Sequence, residues 1–246
     1  MNNFIIAVTS CEPYLKTRIP VIQQYCLKGI PHFIFTGKCN KQFDNHIPLD
    51  CLDDYFSLRS KTFELFKWFL TTDYDYLVKC DDDSFLNYEE IVKLSPAPHI
   101  GGFLQFSESK SKRKHHFEYV LKLTNREQDL SYFDDITFDF KYAEGGCYIL
   151  DKDSVRRIVE YEQNNTIPKI ISEDITVGYI VHLLKIPIVD LTIPLEWYDV
   201  TTFHFHPCKE ILFPLLSSKK TLPERLDILK RFSCLNLHYR KCFDLK

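Results

Sequence analysis

Tyr74-Asp75-Tyr76-Leu77-Val78-Lys79-Cys80-Asp81-Asp82-Asp83 is an apolar stretch that runs straight into three adjacent carboxylates. Such neighbours repel one another and resist burial, so a buried strand that ends in them needs a use for the charge. Oxygen ligands suit Mg²⁺ or Mn²⁺, and the cation's charge offsets the repulsion. If the backbone stays extended, Asp81 and Asp83 point one way and Asp82 the other. Taken alone, the triplet also fits a solvated acidic turn.

The flanking sequence places the triplet in a fold. Asn87, with Glu90 three residues on, resembles a capping box opening a helix through Ile91 and Leu94. The triplet then lies on a strand-to-helix loop at the carboxyl edge of a sheet, where open α/β sheets bind ligands. Upstream, the spacing of Leu58, Thr62, Leu65, Phe66 and Phe69 predicts a helix over 55–70, with Arg59, Lys61, Glu64 and Lys67 on its other faces. Residues 4–8 read as a buried strand followed by the polar loop Thr9-Ser10-Cys11. Pro20 suits a first helical turn, and Ile22, Tyr25 and Cys26 recur at helical spacing. Residues 32–36 form a second strand stopped by Gly37, and this strand–helix–strand opening predicts a parallel α/β unit.

Downstream, residues 106–139 break the pattern. The basic run 110–116 reads as a solvated loop in preference to a nucleic-acid patch, balanced by the acidic stretch 129–139. Order resumes at 142–150, a loop holding Gly145 and Gly146 that enters a strand, and a helix follows with Val155, Ile158 and Val159 inward. Ser172 fits the N-cap of a helix carrying Val177, Ile180, Val181 and Leu184, which puts Glu173 and Asp174 in its first turn. Residues 200–206 alternate so that Thr202, His204 and His206 share one strand face. Residues 222–232 have helical periodicity and read as packing.

The 246 residues suit one large domain. A composition of 45% hydrophobic and 26% charged residues is that of an ordinary globular protein, and a net charge of −3 gives no electrostatic case for nucleic acid or an anionic membrane. The nine cysteines are scattered without a CxxC pair, so they are expected to be mostly free thiols. The apolar run at 4–8 is too short for a signal-peptide core or a bilayer span, and no later segment approaches one. Taken as the native start, Met1 leads to the expectation of a cytoplasmic protein; a Golgi-type lumen enters only if the chain is a fragment.

Four blocks in order carry a resemblance. Asp54-Tyr55-Phe56-Ser57-Leu58-Arg59-Ser60-Lys61-Thr62 with Trp68, then Val78 to Asn87 with the acidic triplet, then Glu144-Gly145-Gly146-Cys147-Tyr148-Ile149-Leu150, then Glu173-Asp174-Ile175-Thr176-Val177-Gly178 resemble motifs of the β1,3-glycosyltransferases of carbohydrate-active family 31. That family includes galactosyl-, N-acetylglucosaminyl- and Fringe-type enzymes, and the likeness covers roughly residues 1–210. The chain departs from it in three ways. Arg18 has no following tryptophan, Glu144 replaces a small residue, and no stretch of these residues resembles the family's membrane anchor and stem.

The resemblance implies an α/β, Rossmann-like fold of the A-type glycosyltransferases (GT-A), with a central mixed, mostly parallel sheet flanked by helices. It implies one domain over 1–246, with a nucleotide-sugar half at about 1–100, an acceptor half at about 101–210 and a helical tail at 211–246. The implied reaction is inverting, metal-dependent transfer from a UDP-sugar to a glycan or glycoprotein hydroxyl, through a β1,3 linkage. Galactose is the first choice of sugar, with N-acetylglucosamine or another hexose next. A non-catalytic sugar-nucleotide-binding relic and a metal-dependent phosphohydrolase are the rivals.

Roles follow from the same resemblance. Asp83 is the direct ligand of Mn²⁺ (Mg²⁺ as the alternative), Asp81 and Asp82 contact the metal shell or the donor, and His204 or His206 completes the site. Asp174 is the general base, and Glu173 adjoins it on the donor side. Gly145 and Gly146 allow close backbone approach to the donor sugar, or positive φ angles. Thr9 and Ser10 sit where the base and ribose belong, while Arg18 and Lys61 are candidates for uracil or phosphate.

Overall fold

Strand β1 (Phe4–Thr9) is buried along its whole length. Its alternate side chains divide between two apolar clusters: Ile5 and Ala7 enter one, and Phe4, Ile6 and Val8 the other. A strand apolar on both faces belongs in the middle of a covered sheet, and β1 lies there. The structure is a computed structural model that describes residues 3–16, 18–25, 27–40, 43–82, 84, 91, 94, 98–107, 118, 138–168, 170 and 172–191.

The remaining described strands are β2 (His32–Thr36), β3 (His46–Pro48), β4 (Tyr76–Asp81), β5 (Ile100–Phe106), β6 (Lys141–Asp151) and β7 (Ile188–Asp190). They hydrogen-bond in the order β3-β2-β1-β4-β6-β5-β7. Every pairing is parallel except those of β6, which runs antiparallel to β4 and β5. The described helices are α1 (Ile19–Tyr25), α2 (Leu58–Leu70), α3 (Lys152–Asn164) and α4 (Glu173–Leu183). Phe63, Leu65, Phe66 and Phe69 of α2 join Val155 and Ile158 of α3 and Val177 and Ile180 of α4 over one sheet face. Ile19 and Ile22 of α1, with Leu27 and Ile91, cover the other. The α/β class with a mixed, mostly parallel sheet flanked by helices is therefore observed.

Local signals explain several ends. Asp151 closes β6 and caps α3, its carboxylate accepting the Ser154 N–H at 2.7 Å. Asp54 caps the short 3-10 turn Tyr55–Ser57 ahead of α2 by accepting the Ser57 N–H at 2.9 Å. Ser172 stands at the N-cap of α4 but does not cap it with its side chain; its hydroxyl donates to the Asp174 carboxylate instead. Trp68 packs edge-on against Phe33 and Phe35, fixing α2 to β2.

Two features position a site. The chain moves from β1 to β2 on one side and later returns to place β4 on the other, so a crevice opens beyond the carboxyl ends of β1 and β4. In β6, residues 144–147 stand opposite the single Phe103, between the pairs Tyr148–Gly102 and Ala143–Leu104. This bulge carries Gly145 and Gly146 out of the ladder beside that crevice.

Cys11, Cys39, Cys51, Cys80 and Cys147 are free thiols, and no described helix is long and apolar enough to cross a membrane. Asp83, most of the helix after Asn87, most of 106–139, the strand expected at 200–206 with His204 and His206, and the tail 211–246 lie outside the described residues.

Candidate functional site

Parallel pairing sets Thr9, at the end of β1, beside Asp81, at the end of β4. The Thr9 hydroxyl donates to Asp81 Oδ1 at 2.9 Å. One residue on, Ser10 donates to Asp82 Oδ2 at 2.8 Å and Arg18 donates to Asp82 Oδ1 at 2.7 Å. A carboxylate that is 4% exposed needs such partners, because an unpaired buried charge is costly. The Arg18 guanidinium in turn lies 3.6 Å over the Tyr14 ring. These groups line a cavity of about 410 Å³ whose wall also includes Tyr55, Lys61 and Glu173.

Lys61 does not sit on the polar face of its helix as the periodicity predicts; it is 2% exposed. Its ammonium donates to Asp53 Oδ1 at 2.8 Å and to the Ser10 carbonyl at 2.7 Å, which satisfies the buried charge. Asp53 also accepts the Glu12 N–H at 2.6 Å and the Gly37 N–H at 2.7 Å. Burial alone would raise the Asp53 carboxyl, but the Lys61 ammonium and the two backbone donors outweigh it and hold the group below its ordinary value. Sequence reasoning missed Asp53, since a partner eight residues before its lysine, in a turn, has no periodic signature.

Lys79 is the second missed residue. Strand alternation puts it on the α4 side of β4, with Leu77, and it is 2% exposed. Its ammonium donates to Asp81 Oδ1 at 2.8 Å, to Glu173 Oε1 at 2.7 Å and to the Gly145 carbonyl at 2.6 Å. The Tyr148 hydroxyl donates to the other Glu173 oxygen at 3.0 Å. Burial works against the Lys79 charge, but Asp81 and Glu173 more than offset it and raise the ammonium's pKa. Burial pushes Glu173 up to about 7, with Asp174 and Asp81 adding to the rise and Lys79 opposing it. Burial and the nearby Glu173 raise Tyr148 well above a phenol's usual value. The signal available in the sequence was one cation inside an apolar strand.

Asp174 is half-buried. Its Oδ2 accepts the Gly145 N–H at 3.0 Å, and its Oδ1 accepts from Ile175 N at 2.8 Å and from the Ser172 hydroxyl. Gly145 is needed for close approach rather than for a positive φ: a Cβ there would lie 2.9 Å from Glu173 Oε1 and 3.3 Å from Asp174 Oδ2. Gly146 is anchored through its carbonyl, which accepts from the Ser84 hydroxyl at 2.7 Å. Gly145→Ala should therefore push the Glu173 and Asp174 carboxylates aside by a few tenths of an ångström, where a misplacement of about 1 Å at a reacting group costs up to about 10²-fold in rate. A tenfold or greater loss of turnover, with melting lowered by only a few degrees, is expected from steady-state assays and thermal unfolding.

The structure brings Thr9, Ser10, Arg18, Lys61, Asp81, Asp82 and Glu173 to one cavity. Gly145 and Asp174 do not line it: Lys79 ties the Gly145 carbonyl to Asp81 and Glu173 on the wall, and the Gly145 N–H bonds to Asp174. Asp81 fits a hard cation best among the described carboxylates, lying at the strand end on the cavity wall with its side chain 37% exposed. Asp82 is neutralised by Arg18. Among the described residues, no three His, Cys, Asp or Glu side chains group closely enough to hold a metal ion. Asp83, His204 and His206, the other expected ligands, lie outside them.

Comparison with known proteins gives a family. The family model described as galactosyltransferase matches residues 37–192, a span that contains Lys61, the acidic strand end, the Gly145 bulge and the start of α4. No curated protein matches the chain. Among solved structures, the crystal structure of A197 from STIV is similar at 14% identity over 78% of this chain and 82% of that one, with a TM-score of 0.39.

Proposed function

This chain belongs to the galactosyltransferase family, and from that premise we propose that it moves a sugar, galactose first, from a UDP-sugar to a glycan hydroxyl with inversion, through a β1,3 linkage. Membership makes it a glycosyltransferase, which needs a sugar donor and an acceptor. The finer reading rests on one observation. A cavity at the sheet's switch point joins the acidic end of β4 to Glu173, the first residue of α4, whose neighbour Asp174 accepts the Gly145 N–H.

Each residue then has a task. Thr9 and Ser10 form the floor for the nucleoside, and the Tyr14–Arg18 pair flanks it. Arg18 also brings positive charge towards the donor phosphates while holding Asp82. Gly145 and Gly146 let the backbone approach the donor sugar. Asp174 takes the proton from the acceptor hydroxyl as that oxygen attacks opposite the departing diphosphate. Asp81 and Asp83, with His204 or His206, would hold a divalent ion, and mixed oxygen and imidazole ligation favours Mn²⁺ over Mg²⁺. When bound, that ion supplies Lewis-acid charge for the leaving diphosphate.

A thermal-shift screen of UDP-galactose and UDP-N-acetylglucosamine, each with and without Mn²⁺, tests the reading. A ligand at a hundredfold excess over its Kd adds about 2.7 kcal/mol, or roughly 5–10 °C for a chain of this size. The expected result is a Mn²⁺-dependent shift for one donor, followed by transfer to a glycan in an acceptor panel. No shift from any UDP-sugar would defeat it, and binding without transfer to any acceptor would point to the relic.

A further inference from the structure

We propose that Lys79 is a positioning residue that sets the catalytic carboxylates of α4 against the donor-binding end of β4. The inference rests on the transfer reading above. Lys79 lies in the strand, and its three acceptors come from three separate pieces of chain: Asp81 at the end of β4, Gly145 in the β6 bulge and Glu173 in the first turn of α4. Each distance is 2.6–2.8 Å, so all three ammonium protons are directed. Tyr148, one strand over, fixes the remaining Glu173 oxygen, and its ring lies 5.4 Å from the ammonium.

The tether continues to the base. Gly145 gives its carbonyl to Lys79 and its N–H to Asp174. The same residue that feels Lys79 therefore aims the Asp174 carboxylate. Replacing both Lys79 and Glu173 by uncharged groups would cost little stability, since a buried ion pair as a whole contributes little net stability. What Lys79 adds is direction, and the reaction needs that because donor and acceptor are held by different elements.

Three variants test this, read by donor KM, kcat, melting temperature and amide exchange at Gly145 and Ile175. Tyr148→Phe keeps the fold and frees one Glu173 oxygen; kcat is expected to fall about fivefold with donor KM unchanged. Lys79→Met should lower kcat by about 10²-fold, the order expected when a reacting group is misplaced by about 1 Å, with donor KM within about threefold. Lys79→Met combined with Glu173→Gln removes the unpaired buried charge and should recover melting without recovering kcat, while Gly145 exchange quickens at least tenfold.

Recovery of the parent kcat in the double variant, or unchanged Gly145 exchange, would overturn the proposal by reducing Lys79 to a structural charge. If the double variant does not fold, Tyr148→Phe decides: parental kcat overturns the proposal, and a kcat loss at constant KM supports it. If the parent transfers no sugar, the transfer reading falls on its own, and the exchange arm still decides whether Lys79 and Tyr148 aim Asp174.

Discussion

Asp174→Asn should abolish measurable transfer, with kcat reduced by about 10³-fold, within the range that a positioned general base contributes. Donor binding should survive, because the Asp174 carboxylate bonds to Gly145, Ile175 and Ser172 and not to the groups around Thr9, Ser10 and Arg18. The amide cannot satisfy every one of those donors, so a stability loss of about 1–3 kcal/mol accompanies the change. The Mn²⁺-dependent thermal shift with the UDP-sugar separates the two effects, since it reads donor affinity in a folded variant whatever its melting point. Glu173→Gln is the informative comparison. Glu173 lines the cavity and its carboxyl is pushed up to about 7, which is where a base working near neutrality belongs. Full activity in Asp174→Asn together with silence in Glu173→Gln would transfer the role to Glu173.

The division between what the chain announces and what it conceals is physical. Continuous or helically spaced apolar residues announced β1, β2, β4, α2, α3 and α4, because those elements are buried on predictable faces. β5 was hidden because Gly101 and Gly102 dilute its apolar pattern; a Cβ on Gly101 would lie 2.7 Å from the Pro98 side chain, and one on Gly102 would lie 2.8 Å from that of Ala143. β3 and β7 are three residues each, too short for any periodicity to register. At the site, carboxylates clustered along the chain were legible as Asp81-Asp82 and Glu173-Asp174. Lys61 was legible as a site residue, but its partner and that of Lys79 were not, because both lysines find partners through folding: Glu173 is 94 residues from Lys79, and Asp53 lies outside the helix of Lys61. Patterns reveal which side chains are buried together, but a buried cation's acceptors are set by topology.

Asp53→Asn should be the most destabilising single change at the cavity. It removes the carboxylate charge from a lysine that is 3% exposed at its side chain, and breaking a buried pair by removing one partner costs about 3–5 kcal/mol. For a chain of this size each kcal/mol moves the melting temperature by about 2–4 °C, so a drop of roughly 10 °C is expected in a thermal scan. The acid side gives a second readout. Because the folded Asp53 carboxyl is held below its ordinary value, it contributes stability that is present above the unfolded pKa, about 3.9, and lost as pH falls through the lower folded pKa. The parent should therefore lose stability below about pH 4 more steeply than Asp53→Asn, which has no such proton to take up. Asp53→Asn with Lys61→Met should recover much of the melting temperature, since an uncharged pair leaves no orphaned ammonium. It should not recover donor affinity, because Lys61 also holds the Ser10 carbonyl, and the Ser10 hydroxyl holds Asp82. A double variant that regained both stability and donor binding would separate the cavity floor from this ion pair, and a parental melting temperature in Asp53→Asn alone would show that the pair carries no net stability.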